Sequence, residues 1–258
     1  MEYPERDFLR LLPRVLRARD FHLYLEGGKR LVDLWLQGGR AILGHKPPMV
    51  LRELKNAAER GLFTPFPHPA EGRFLKALGE FFPGRAFRLY LDPSSLRRAL
   101  EAAGFTDSVP LWRPFLEPAD YSPVLLPILP WQLGPEVLVL DKSLSASFPA
   151  GELIPPVLLA PATRAMYNLA AALKASGQGS PRYGNIEKAL KDSPWHRRGI
   201  YLSLKADMDR ERYKTLFLNF LEGGFLIPPS AREPAILPMS MSKGEEAKLM
   251  QMLKVFPA

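Results

Sequence analysis

The chain has 258 residues, 47% hydrophobic and 24% charged, enough for one large domain or two small ones. It contains no cysteine, which excludes disulfides, thiolate nucleophiles, zinc–thiolate sites and iron–sulfur clusters. The net charge of +8 is spread along the chain: 12 Lys/Arg against 8 Asp/Glu in residues 1–60, 8 against 9 in 61–150, and 15 against 10 in 151–258. With acids interleaved throughout and no polybasic tract, a nucleic-acid footprint is not expected. No apolar run reaches the roughly 18 residues of a membrane span. The charged first ten residues lack the apolar core of a secretion signal, so a cytoplasmic protein is expected.

Apolar residues at helical spacing (Phe8, Leu11, Leu12, Val15, Leu16) predict a helix over residues 3–19, bent by Pro13. Phe21–Glu26 and Arg30–Trp35 are β-rich runs joined by Gly27-Gly28, which predicts a hairpin. A helix is expected over 49–60, ended by Gly61, and another near 70–82. Arg85–Leu91 reads as a strand, with Asp92 the N-cap of a helix over 93–103 closed by Gly104. Residues 108–161 hold 11 of the 27 prolines, so sheet built there must be short or at an edge; Val124–Leu129 and Val137–Leu140 read as buried strands. Ala162–Ala175 is a strong helix, and Gly177–Gly184 is the best boundary between domains. Gly199–Leu204 is strand-like, Asp209–Glu222 an amphipathic helix, and Phe225–Pro229 and Ala235–Leu237 short strands. Ser242 and Glu245 form a capping box for the last helix.

Other chemistries find no footing. His22, His45, His68 and His196 show no metal-ligand spacing. No G-x-S-x-G, Walker loop or G-x-G-x-x-G is present. Trp112 and Trp131 in the proline-rich middle are expected in a core or interface.

Three stretches carry a family resemblance. Tyr24-Leu25-Glu26-Gly27-Gly28-Lys29-Arg30-Leu31-Val32-Asp33-Leu34 continues through Gly38 to Gly44-His45 and Pro48. Arg198-Gly199-Ile200 leads to Leu204. Gly224-Phe225-Leu226-Ile227-Pro228 is followed by Leu237-Pro238 and Ser242–Leu253. In order and spacing these resemble the class III aminotransferases, fold-type-I enzymes that use pyridoxal phosphate. The resemblance implies an α/β, pyridoxal-phosphate-dependent-transferase-like fold with a truncated large domain. About 95 residues separate the matched ends, too few for the family's full sheet at roughly 30 residues per βαβ unit. Residues 1–65 with 180–258 would form the small domain and 66–179 the reduced large one.

Pyridoxal phosphate needs a Schiff-base lysine, a carboxylate at the pyridine nitrogen and N–H donors for its phosphate. Pro135–Gly151 is similar to the family's lysine segment and makes Lys142 the candidate nucleophile, although Ser145-Ala146-Ser147 replaces glycines. Val137–Asp141 also resembles the family's aspartate strand and makes Asp141 the candidate ring partner. The two readings exclude each other, because neighbouring residues of a strand point to opposite faces. Asp120 is another acid lying before a strand. Ser94 and Ser95 fall where the family turns around the phosphate, but its glycine is gone, Asp92 brings negative charge and Pro93 removes an N–H. Arg198 and Arg232 are the candidates for a substrate carboxylate, Arg232 lying off the family's register.

Two functions follow from the resemblance. One is a catalytically impaired or inactive homologue, binding a small molecule or regulating, as a homodimer or paired with a full-length aminotransferase. The alternative is an active enzyme with Lys142 as Schiff base. The lost glycines, the altered phosphate turn and the short middle favour the first.

Overall fold

The computed structural model describes residues 4–105, 109–116, 122–176, 183–191 and 193–254. A 3-10 helix, Pro4–Leu11, precedes β1 (Val15–Arg19), β2 (His22–Leu25), β3 (Arg30–Asp33) and a 3-10 turn at Leu36–Gly39. Next come α1 (Val50–Glu59), α2 (Pro69–Gly79), β4 (Ala86–Tyr90), α3 (Pro93–Ala102), β5 (Leu111–Trp112), β6 (Val124–Pro127) and β7 (Glu136–Leu140). A 3-10 helix, Lys142–Ser147, leads to α4 (Pro156–Ser176), α5 (Gly184–Leu190), β8 (Trp195–Arg198) and β9 (Tyr201–Leu204). The chain closes with α6 (Arg210–Glu222), β10 (Phe225–Leu226), β11 (Ala235–Ile236) and α7 (Lys243–Met252).

Most expected elements are present, and three differ for physical reasons. The helix expected over 3–19 is a 3-10 helix that stops at Leu11, after which β1 pairs antiparallel with β2. Pro13 has no N–H to continue a helix and biases Leu12 away from helical torsions, while Val15 suits a strand. The helix expected from Ala162 begins at Pro156 and carries Pro161 inside it. The strand expected over 199–204 is the second arm of a hairpin. Gly199 (φ +59°) sits in the turn, and β8 pairs with β9 from Trp195↔Leu204 to Arg198↔Tyr201. Most of Gly177–Gly184, and Asp120, lie outside the described residues.

The chain divides into two compact units, Met1–Lys46 with Ala175–Ala258, and Pro47–Lys174. The second is built on a mixed sheet ordered β4-β7-β6-β5, antiparallel except for β5 with β6. Alternation along β7 splits its side chains between two cores. Val137 and Val139 join Phe74, Leu78, Trp131 and Met166 on one face. Leu138 and Leu140 join Tyr90, Leu96, Ala99 and Phe148 on the other. The helices α1, α2 and α4 supply the first face and α3 the second, so this unit has three layers. Trp131 is buried, and Trp112 stacks edge-on against Phe81 and Phe82, which bears out the core reading of both.

The first unit holds a sheet ordered β1-β2-β3-β10 and a second ordered β11-β9-β8. The Gly27-Gly28 turn has φ of +82° and +83°, which selects glycine there. Phe217, Phe220 and Tyr213 on the buried face of α6 meet Phe8, Trp195 and Phe225. The capping box at Ser242 and Glu245 is formed as expected.

Candidate functional site

Lys142 opens the 3-10 helix after β7 and is exposed. Asp141 beside it is held by Arg85, whose Nη1 lies 3.2 Å from Oδ1 and whose Nη2 donates to the Ser122 carbonyl at 2.7 Å. Ser94 and Ser95 open α3, and Asp92 already occupies their amides. Its Oδ1 accepts from Ser94 N at 2.7 Å and Ser95 N at 3.0 Å, and Ser95 Oγ donates to Oδ2 at 3.2 Å. These bonds, led by the Ser95 and Ser94 amides, hold the Asp92 carboxyl below its ordinary range.

Strand register separates the candidates. Leu140 pairs with Ala86, and Glu136 with Tyr90. Lys142 and Asp141 therefore follow one end of the β4–β7 pair, and Ser94 and Ser95 follow the other. A five-residue strand, about 13 Å over its four steps, lies between. The structure brings Asp141 and Lys142 together and keeps both away from Ser94 and Ser95. Arg198 and Arg232 belong to the other compact unit. Arg198 is exposed at the end of β8. Arg232 is exposed in the turn after Ser230 and lines a cavity of about 340 Å³ with Phe8, Arg210 and Tyr213.

A better-built site lies elsewhere in the first unit. Asp33 ends β3 and is 2% exposed, so its carboxylate must be satisfied internally. Oδ1 accepts the N–H groups of Trp35 and Leu36, each at 2.9 Å, and Oδ2 lies 2.9 Å from His45 Nε2. A carboxylate there calls for a proton on Nε2. His45 is placed by Gly44, at φ +89°, where a Cβ would stand 3.0 Å from the Asp20 carbonyl oxygen. The His45 N–H donates to that same oxygen at 2.7 Å.

Leu36 (φ +47°) and Gln37 (φ +51°) hold left-handed torsions without being glycine. Each costs about 1–2 kcal/mol, so the Asp33 turn over-determines them. Trp35 Nε1 donates to Glu233 Oε2 at 2.9 Å. The dyad, Trp35 and Gln37 open onto a cavity of about 440 Å³ with an apolar wall of Leu12, Val15, Leu23 and Leu226. No Lys or Arg lines it. Sequence reasoning placed Asp33 and His45 in a motif but not in a site. The available signal was a carboxylate inside the apolar run Leu31–Leu36.

Among the described residues no group of three or more His, Asp or Glu can hold a metal ion. No helix among them is long and apolar enough to cross a membrane.

The comparisons with solved structures decide the fold. Ornithine δ-aminotransferase of Plasmodium falciparum superposes with a TM-score of 0.69 at 12% identity, covering 97% of this chain and 97% of that one. Acetylornithine aminotransferase of Elizabethkingia anophelis gives 0.64 at 11% identity, covering 97% and 98%. The fold is that of the pyridoxal-phosphate-dependent aminotransferases. A transaminase with PLP bound also superposes, with a TM-score of 0.62 at 12% identity over 94% of this chain and 89% of that one. No family model matches the sequence. Among curated proteins, the chain is similar to an uncharacterised protein of Treponema pallidum (strain Nichols), 26% identical over 92% of this chain and 93% of that protein. It is also similar to one of Borreliella burgdorferi, 27% identical over 91% and 87%.

In this aminotransferase fold the residues present do not fit the cofactor. A Schiff-base lysine needs a desolvated, neutral amine, and Lys142 is in water. Asp141 is paired to a guanidinium. The helix N-terminus that would take the phosphate is filled by the protein's own carboxylate. None of the described lysines is buried; Lys214 is half-buried on α6 and the others are exposed.

Proposed function

We propose that this chain is an aminotransferase-fold homologue that does not transaminate and works as a small-molecule-binding or regulatory protein, as a homodimer or beside a full-length aminotransferase in the cytoplasm. The observation that carries the reading is the separation of Lys142 from the Ser94–Ser95 turn by the length of the β4–β7 pair, with Asp92 filling that turn. Repulsion between the Asp92 carboxylate and an incoming phosphate weakens anion binding there further. In this reading residues 66–179 stand for a reduced cofactor-type domain and serve as scaffold.

The test is spectroscopic. The purified chain is mixed with pyridoxal phosphate, its visible spectrum is recorded before and after borohydride reduction, and modified lysines are mapped by mass spectrometry. The expected result is no aldimine band and only scattered labelling of surface lysines. A band trapped on Lys142 and absent from Lys142→Ala would overturn the reading and establish the enzyme alternative.

A further inference from the structure

The geometry points to the cavity at Asp33 and His45 as a binding site for a small ammonium ion with a hydrocarbon body, an alkyl or aralkyl amine. The inference rests on the reading of the chain as a binding homologue and names the ligand class. The cavity, at about 440 Å³, falls in the range of small-molecule sites. Its charge is one-sided. Asp33 is almost wholly buried, and neither Lys nor Arg reaches the lining. His45 Nε2 donates to Asp33, and its Nδ1 makes no hydrogen bond among the described residues. The polar side chains in the lining are thus those of His45 and Gln37, beside Trp35, whose indole ring attracts cations. The apolar wall takes the hydrocarbon body. A carboxylate or phosphate would meet the Asp33 charge with neither Lys nor Arg in the lining to offset it. The site uses no lysine and no cofactor, so it is independent of Schiff-base chemistry.

The experiment is calorimetric titration of the full, cofactor-free chain at neutral pH with benzylamine, benzyl alcohol and benzoate. Benzylamine is expected to bind saturably at one site, at least about tenfold more tightly than benzyl alcohol, with benzoate silent. Asp33→Asn keeps an acceptor for the Trp35 and Leu36 amides but removes the charge; it is expected to weaken benzylamine about tenfold and leave benzyl alcohol nearly unchanged. Because Asp33 is buried, a second pair guards against misfolding. Val15, 45% exposed at the cavity rim, is replaced by Lys or Glu. Val15→Lys is expected to weaken benzylamine about threefold and Val15→Glu to strengthen it about threefold. Equal affinity for the three probes, no saturable binding, or indifference to both Val15 substitutions overturns the site. An aldimine on Lys142 in the spectroscopic test would overturn the binding-homologue reading while leaving these affinity ratios standing, so the two failures are distinguishable.

Discussion

Glu245 ties the last helix to the first hairpin, and removing its charge tests how the first unit is held together. Its Oε1 lies 2.9 Å from His22 Nε2 on β2 and accepts from Arg30 Nη2 at 2.7 Å, at the start of β3. Its Oε2 accepts from the Ser242 N–H and hydroxyl, each at 2.9 Å. The Glu245 side chain is 16% exposed, His22 17% and Arg30 51%. Burial pushes the Glu245 carboxyl upward, but the Ser242 backbone bond, the His22 bond and the Ser242 hydroxyl outweigh it, and the net shift is downward. Glu245→Gln keeps the capping contacts to Ser242 and loses the charge that faces Arg30 and His22. The half-exposed arginine contributes about 0.5 kcal/mol and the shielded histidine bond about 1 kcal/mol, so the substitution costs about 1–2 kcal/mol. That corresponds to a fall in Tm of about 3–6 °C. Because the folded-state pKa is lowered, the contribution is complete above the unfolded carboxyl value of about 4.3 and is lost as pH falls through the folded value. Urea unfolding of both proteins at pH 7, 5.5 and 3 should show a gap at the first two and a smaller one at the third. A gap that persists undiminished at pH 3, or none at pH 7, refutes the reasoning.

Gly44→Ala should cost about 2–3 kcal/mol, because it combines φ +89° with a Cβ 3.0 Å from the Asp20 carbonyl oxygen, and it should also abolish benzylamine binding by displacing His45. Gly27→Ala is its control: φ is +82° with nothing within 4 Å, so only the torsional cost of about 1 kcal/mol is expected by denaturant unfolding. Gly151→Ala places a Cβ 2.9 Å from Leu89 N and 3.0 Å from Leu89 O, so it should destabilise the Pro47–Lys174 unit by about 1–3 kcal/mol and raise hydrogen exchange at Glu152, whose N–H bonds Leu89 O. Asp92→Ala should lower Tm at neutral pH and leave it unchanged at a pH below the lowered folded-state value, since the cap stabilises only while the carboxyl is ionised; a Tm loss independent of pH would show that the charge is irrelevant to the cap.

Much of the local structure was legible because it obeys short-range rules. The Gly27-Gly28 hairpin, the Asp92 cap and the Ser242–Glu245 capping box follow from torsional freedom and nearby hydrogen-bond acceptors, which neighbouring residues supply. The order of motifs also pointed to the fold that the solved aminotransferases share. Local rules competed at residues 3–19: helical spacing of apolar residues was overridden by Pro13 and by the pairing of β1 with β2, a partner that spacing does not reveal. Proline-guided boundaries misplaced the start of α4, since a helix packed along its buried face tolerates Pro161.

The candidate site was the least legible part, because it depends on register and on burial. The sequence by itself determined that no thiol chemistry is available, and its resemblance to the class III aminotransferases put forward Lys142 or Asp141, with Ser94 and Ser95, as the candidates for pyridoxal phosphate. Only the tertiary structure decided that antiparallel pairing of β4 with β7 sets them at opposite ends of two strands. It also decided that Asp33 and His45, twelve positions apart, meet. Gly44 turns the chain tightly against Asp20, and a buried carboxylate must find a donor wherever the fold offers one.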